Sequence, residues 1–169
     1  MTDDKVRCGP GIFTKSSGDV YSGQWIDGRR EGYGLYQAKE GFKYEGTWKN
    51  DLPDGKGVAS QPDGSRYQGD FKEGIRHGHG LYVRADGCSY QGTWLNGNMH
   101  GIGCSSWQQG KKKYAGSYVN NKLHGFGVFV YATGCQLEGH WKEGKAQGDA
   151  IFRLPNGKTY KGRWENGVH

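Results

Sequence analysis

Gly18-Asp-Val-Tyr-Ser-Gly-Gln-Trp25 and Gly41-Phe-Lys-Tyr-Glu-Gly-Thr-Trp48 share one pattern at an interval of 23 residues. A fixed period of this size marks a repeat architecture and takes precedence over any local reading. Carried along the chain, the tyrosine column runs Tyr21, Tyr44, Tyr67, Tyr90, Tyr114, Leu137, Tyr160. Two residues on stands an unbroken glycine column from Gly23 to Gly162, followed by a ring column of Trp25, Trp48, Phe71, Trp94, Tyr118, Trp141 and Trp164. Each full unit then carries a Gly-x-Gly, such as Gly32-Tyr-Gly34, and the last copy departs from it with Ala150. The interval lengthens once, to 24, where Gly110 enters.

The composition agrees with this framework. Of 169 residues, 32 are glycine, and the rings comprise six Trp, eleven Tyr and six Phe, while all hydrophobic residues together make 33%. So little aliphatic content excludes a conventional Leu/Ile/Val core. Glycine is not every third residue, which excludes collagen, and the ring content argues against disorder. No apolar run approaches the ~18 residues of a membrane helix, and Met1 to Arg7 shows no signal-peptide pattern. Cys8, Cys88, Cys104 and Cys135 lack metal or redox spacing. These features predict a soluble cytoplasmic protein. The chain divides into a tail (1–8), a half repeat (9–17), six repeats (18–156) and a second half repeat (157–169).

The pattern Tyr-x-Gly-x-Trp-x-x-Gly-x-x-x-Gly-x-Gly closely resembles the MORN repeat (membrane occupation and recognition nexus). The departures are few. Asp51 and Asn121 replace the turn glycine, Leu137 a tyrosine and Ala150 a glycine. Asn and Asp tolerate a left-handed turn conformation best among non-glycine residues, so the first two keep the backbone logic.

Each unit reads as two strands with period-two alternation, joined by turns rich in Gly, Asn and Asp. The expected fold is all-β: an elongated single-layer antiparallel meander of stacked 23-residue hairpins, about 14 strands at ~4.8 Å each. A four-residue tip pairing Asp27 with Gly32 would set Trp25 opposite Gly34, Gly23 opposite Tyr36 and Tyr21 opposite Ala38. The next loop would place Tyr67 beside Gln61. Rings would then lie over glycines of neighbouring strands and cover their missing side chains.

The predicted protein-binding surface is the aromatic face: Tyr21, Trp25, Tyr44, Trp48, Tyr67, Phe71, Tyr90, Trp94, Tyr114, Tyr118, Trp141, Tyr160 and Trp164. It would take a helix or an extended peptide, or the rings would simply staple the sheet. A second candidate is the aliphatic column Ile12, Leu35, Val58, Leu81, Cys104, Val128, Ile151 on the polar face. Lys111, Lys112 and Lys113, at the insertion, could touch acidic phospholipid or an acidic partner; plain solvation is the simpler reading. His77, His100 and His124 form a column, but with ~10 Å between units they cannot share a metal. No nucleic-acid motif is present. The outer strands could pair with another copy, as a homo-dimer or end to end.

No nucleophile–base set, phosphate loop or cofactor motif appears. The resemblance implies a non-enzymatic scaffold without cofactors that binds axonemal or cytoskeletal proteins, located in a cilium or flagellum. The alternative is a membrane-apposed adaptor for acidic phospholipids.

Overall fold

A computed structural model describes residues 7–168; most of the tail and His169 of the second half repeat lie outside the described residues. Fourteen antiparallel strands and no helix are present among them. The strands are β1 (Gly9–Thr14), β2 (Val20–Ile26), β3 (Arg29–Gln37), β4 (Lys43–Lys49), β5 (Leu52–Ser60), β6 (Arg66–Lys72) and β7 (Ile75–Val83). There follow β8 (Ser89–Leu95), β9 (Asn98–Trp107), β10 (Lys112–Val119), β11 (Lys122–Val130), β12 (Gln136–Lys142), β13 (Lys145–Arg153) and β14 (Thr159–Trp164). Their order in the sheet is their order in the chain, a meander of hairpins in one open sheet. Two compact units, residues 1–78 and 79–169, divide within β7.

The hairpins inside each unit close through two-residue tips. Asp27 and Gly28 both have positive φ (48° and 75°), the signature of a type I′ turn, whose twist matches that of the flanking strands. Asn50–Asp51 and Asn120–Asn121 do the same without glycine, with φ of +68° at Asp51 and at Asn121. These two gain something glycine could not offer. Asp51 Oδ1 accepts from the Arg30 N–H at 2.9 Å, and Asn121 Oδ1 from the Met99 N–H at 2.8 Å. Each tip is also tied to its predecessor through the backbone. The Asp51 N–H donates to Arg30 O at 3.1 Å, and the Asn121 N–H to Met99 O at 3.0 Å.

The two-residue tip corrects the expected register. Gly23 faces Gly34, Tyr21 faces Tyr36 and Trp25 faces Arg30, with a bulge after Gly23. Across the next loop Tyr67 faces Ala59, not Gln61, because the Gln61 N–H closes on Ser65 O at 2.8 Å and sets that register. Between β2 and β3 the tip consumes two residues rather than four, and the bulge absorbs Gly32 and Tyr33 on β3. Gly32 adopts φ +64°, a conformation that a Cβ resists. Bulges recur after Gly46, Gly92, Gly116 and Gly139.

The register explains the core. With two glycines opposed, an open square lies over the backbone, and the tyrosine ring fills it. A Cβ built on Gly57 would stand 2.6 Å from Tyr44 Cζ, and one on Gly34 would stand 2.6 Å from Tyr21 Cζ. The ring tip then reaches a carbonyl loosened by the bulge. Tyr44 Oη donates to Thr47 O at 2.9 Å and Tyr90 Oη to Thr93 O at 2.8 Å. The indoles complete the staple across strands. Trp48 Nε1 donates to Gly34 O at 3.1 Å and Trp141 Nε1 to Gly127 O at 3.3 Å. Rings therefore occupy the place that aliphatic side chains fill in an ordinary core.

Candidate functional site

On the ring-bearing side, each tyrosine meets two indoles or their substitutes edge-on. Tyr21 touches Trp25 at 5.0 Å and Trp48 at 5.4 Å between centroids; Tyr44 touches Trp48 at 5.0 Å and Phe71 at 5.1 Å. In the second unit Tyr114 sits between Tyr118 at 5.3 Å and Trp141 at 5.5 Å. Such pairs contribute about 0.5–1.5 kcal/mol each beyond area burial. All the ring residues predicted for this face are buried except Tyr160, which is 46% exposed on β14. Burial raises the tyrosine hydroxyls, to about 12 for Tyr67, Tyr90 and Tyr114.

A second tier of rings stands half-buried over the first: Phe13, Tyr36, Tyr82, Phe129 and Phe152. The column lies two residues beyond the second glycine of Gly-x-Gly and was readable from the same period. Phe129 packs against Trp107 at 5.9 Å and Tyr131 at 4.8 Å, making an aromatic cluster beside the inserted loop. In the first unit the tier is cationic. The Arg30 guanidinium lies 4.1 Å from the Trp48 ring and is held by Asp51 Oδ1 at 3.2 Å. Arg7 lies 3.6 Å over Phe13. Arg7, Phe13, Trp25, Arg30 and Tyr36 line a recess of about 300 Å³ with Asp19 on its rim. The Lys39 N–H, 3.1 Å away, holds the Asp19 carboxyl below the usual range.

The three lysines do not form one patch. Lys111 belongs to the loop, Lys112 shares the face of Tyr114, and Lys113 points to the other face, where it borders a recess with Cys104 and Val128. The aliphatic column lies on the face away from the rings, exposed at Ile12, Leu81 and Cys104. No group of three or more metal-ligating side chains gathers among the described residues. His100 and His124 each leave Nδ1 buried and unpartnered. The charge is unevenly divided. Residues 79–169 hold eleven basic and five acidic residues, a formal +6, whereas residues 1–78 hold twelve of each and are neutral.

The model of the MORN repeat matches seven successive segments: 4–20, 21–41, 44–66, 67–89, 90–112, 114–136 and 138–159. No curated protein matches the sequence. Among solved structures, the SAS-4 (dCPAP) TCP domain of Drosophila melanogaster, in complex with a proline-rich motif of Ana2 (dSTIL), is 12% identical with a TM-score of 0.54, covering 92% of this chain and 90% of that one. The TCP10 domain of Danio rerio CPAP is 15% identical over 92% and 90% of the two chains, with a TM-score of 0.23. A virginiamycin B lyase from Staphylococcus aureus is 10% identical over 95% and 72%, with a TM-score of 0.22. The first is a likeness of fold.

Proposed function

The chain belongs to the MORN-repeat family, and on that premise we propose that it is a non-enzymatic scaffold that binds other proteins within a cytoskeletal assembly, its setting the axoneme of a cilium or flagellum. One observation carries the reading. The buried Tyr–Trp ladder completes the sheet by itself, yet it supports a further tier of half-exposed rings, Tyr36 and Phe129 among them. Rigid, half-exposed rings contribute contact area at little entropic cost, which suits a recognition surface. The Drosophila structure of like fold is described with a proline-rich motif bound, which supports a sheet of this kind acting as a platform for an extended peptide.

Proximity labelling in ciliated cells tests the setting. Recovery of axonemal proteins, lost with Tyr36→Ser and Phe129→Ser, is the expected result, and recovery of membrane-trafficking proteins alone would overturn it. The second reading, an adaptor for acidic phospholipid, draws on the charge concentrated in residues 79–169. Liposome co-sedimentation separates the two readings. Binding abolished by Lys111→Ala, Lys112→Ala and Lys113→Ala together would favour lipid, and no binding by the unmodified chain would eliminate it.

A further inference from the structure

The face away from the rings differs between the two units. In residues 1–78 the middle positions of two Gly-x-Gly segments on this face carry paired polar groups: Tyr33 Oη donates to Glu45 at 2.5 Å, and Lys56 pairs with Asp70 at 2.5 Å. Both Tyr33 and Lys56 hold the middle position of a Gly-x-Gly. In residues 79–169 that position holds His79, Ile102, Phe126 and Asp149, and of these Ile102 is 66% and Phe126 52% exposed. Large apolar side chains left in water on one face, here two strands apart, mark a site of contact.

The register arranges these groups. Cys104, Ala115, Val128, Glu138 and Ile151 stand opposite one another on β9 to β13, so they form a row running across the strands. Ile102 and Phe126 project from a parallel row, with Ser117 on the strand between. Two shallow recesses follow these rows. One of about 320 Å³ is lined by Leu81, Cys104, Ala115 and Val128, with Lys113 at its edge. The other holds Phe126, His140 and Ile151, bordered by Lys161 and Arg163. The carboxylates of Glu138 and Asp149 are outnumbered by Lys113, Arg153, Lys161 and Arg163 on the same face.

We propose that this face of residues 79–169 docks a proline-rich segment in the polyproline II conformation, bearing acidic residues and lying across strands β9 to β13. The spacing selects the conformation. Equivalent side chains recur every second strand, about 9.6 Å at ~4.8 Å per strand. A polyproline II helix repeats every three residues, about 9.3 Å. Seven residues of α-helix advance about 10.5 Å and drift out of step within two repeats. An added β-strand has nothing to pair with, because β9 to β13 already have neighbours on both sides. Polyproline II needs no backbone partner, since its own backbone stays solvated. Its prolines sit between Ile102 and Phe126 on one side and Cys104, Val128 and Ile151 on the other, above small Ala115 and Ser117. Its acidic residues answer the basic border. The site is distinct from the ring-bearing face and does not depend on what that face binds.

A fluorescein-labelled peptide of four Pro-Pro-Glu repeats, titrated into the full chain and followed by anisotropy, tests the proposal. Saturable binding is expected, weakened about tenfold by Phe126→Ser and by Ile102→Ser, unchanged by Tyr33→Ser, and weaker for four Pro-Pro-Lys repeats. Because Ile102 and Phe126 are exposed, their variants should retain the melting temperature of the parent, which circular dichroism checks. No binding, or binding indifferent to both substitutions, would overturn the proposal. Tighter Phe126-dependent binding of an acidic amphipathic helix would also overturn it, as would Phe126-dependent self-association in sedimentation, which would assign the face to a second copy.

Discussion

The repeat around Tyr114 and the one around Leu137 use the same backbone to solve the same packing problem with different side chains. Around Tyr114, Gly116 faces Gly127 and the phenol lies across both. One repeat later, Gly139 faces Ala150 and the tyrosine is replaced by Leu137, which is equally buried. A Cβ on Gly127 would come within 2.7 Å of the Tyr114 ring, whereas the shorter leucine leaves room for the Cβ of Ala150. The two departures are therefore one compensated exchange. Volume lost at Leu137 is returned at Ala150, and the open square above the backbone stays filled. The feature the repeat needs is a filled square, and a tyrosine with two glycines is one way to fill it.

That comparison can be broken by emptying the square. Tyr114→Ala should cost about 3–5 kcal/mol and Leu137→Ala about 2–4 kcal/mol, measured by urea denaturation, since both leave a cavity but only the first also orphans the Ser117 carbonyl. A smaller loss is expected from overfilling. Gly127→Ala should destabilise by about 1–3 kcal/mol, while Ala150→Gly should cost no more than about 1 kcal/mol.

Alkali sharpens the contrast because a buried phenol titrates and a leucine in its place does not. Tyr67, Tyr90 and Tyr114 titrate at about 12 in the folded chain because they are buried, against about 10 when unfolded. The unfolded state therefore releases protons first. Stability should be intact below pH 10 and fall between about 10 and 12, by up to about 1.4 kcal/mol per pH unit for each phenol. Denaturation series at pH 9, 10 and 11 check this, and Tyr114→Leu should flatten the slope by one phenol's share. The smallest effect belongs to the tips. Water screens the exposed Lys122–Glu143 pair, so Lys122→Ala should barely move the midpoint.

The 23-residue period made much of this legible. It marked the hairpins, the rings over glycines, and the tolerance of Asp51 and Asn121 for a left-handed turn. It did not reveal the register, because a two-residue tip with a bulge and a four-residue tip without one use the same residues. The bulge after Gly23 depends on backbone geometry that alternation cannot express. The exchange at Leu137 and Ala150 looked like two unrelated departures, since only the register shows that they meet. At the site, the buried ladder was apparent and the half-exposed tier above it was not. The latter occupies a column where Ala59 and Ser105 interrupt the rings, so its aromatic character is diluted in the sequence.

The pairing of ring size with glycine is tested most directly by a double-mutant cycle on Tyr114→Leu and Gly127→Ala, followed by chemical denaturation. The expected result is a coupling of at least about 1 kcal/mol, with Gly127→Ala nearly without cost once Tyr114 is leucine. Additive losses would contradict the account, because they would mean that the second glycine serves the backbone and makes no room for the ring.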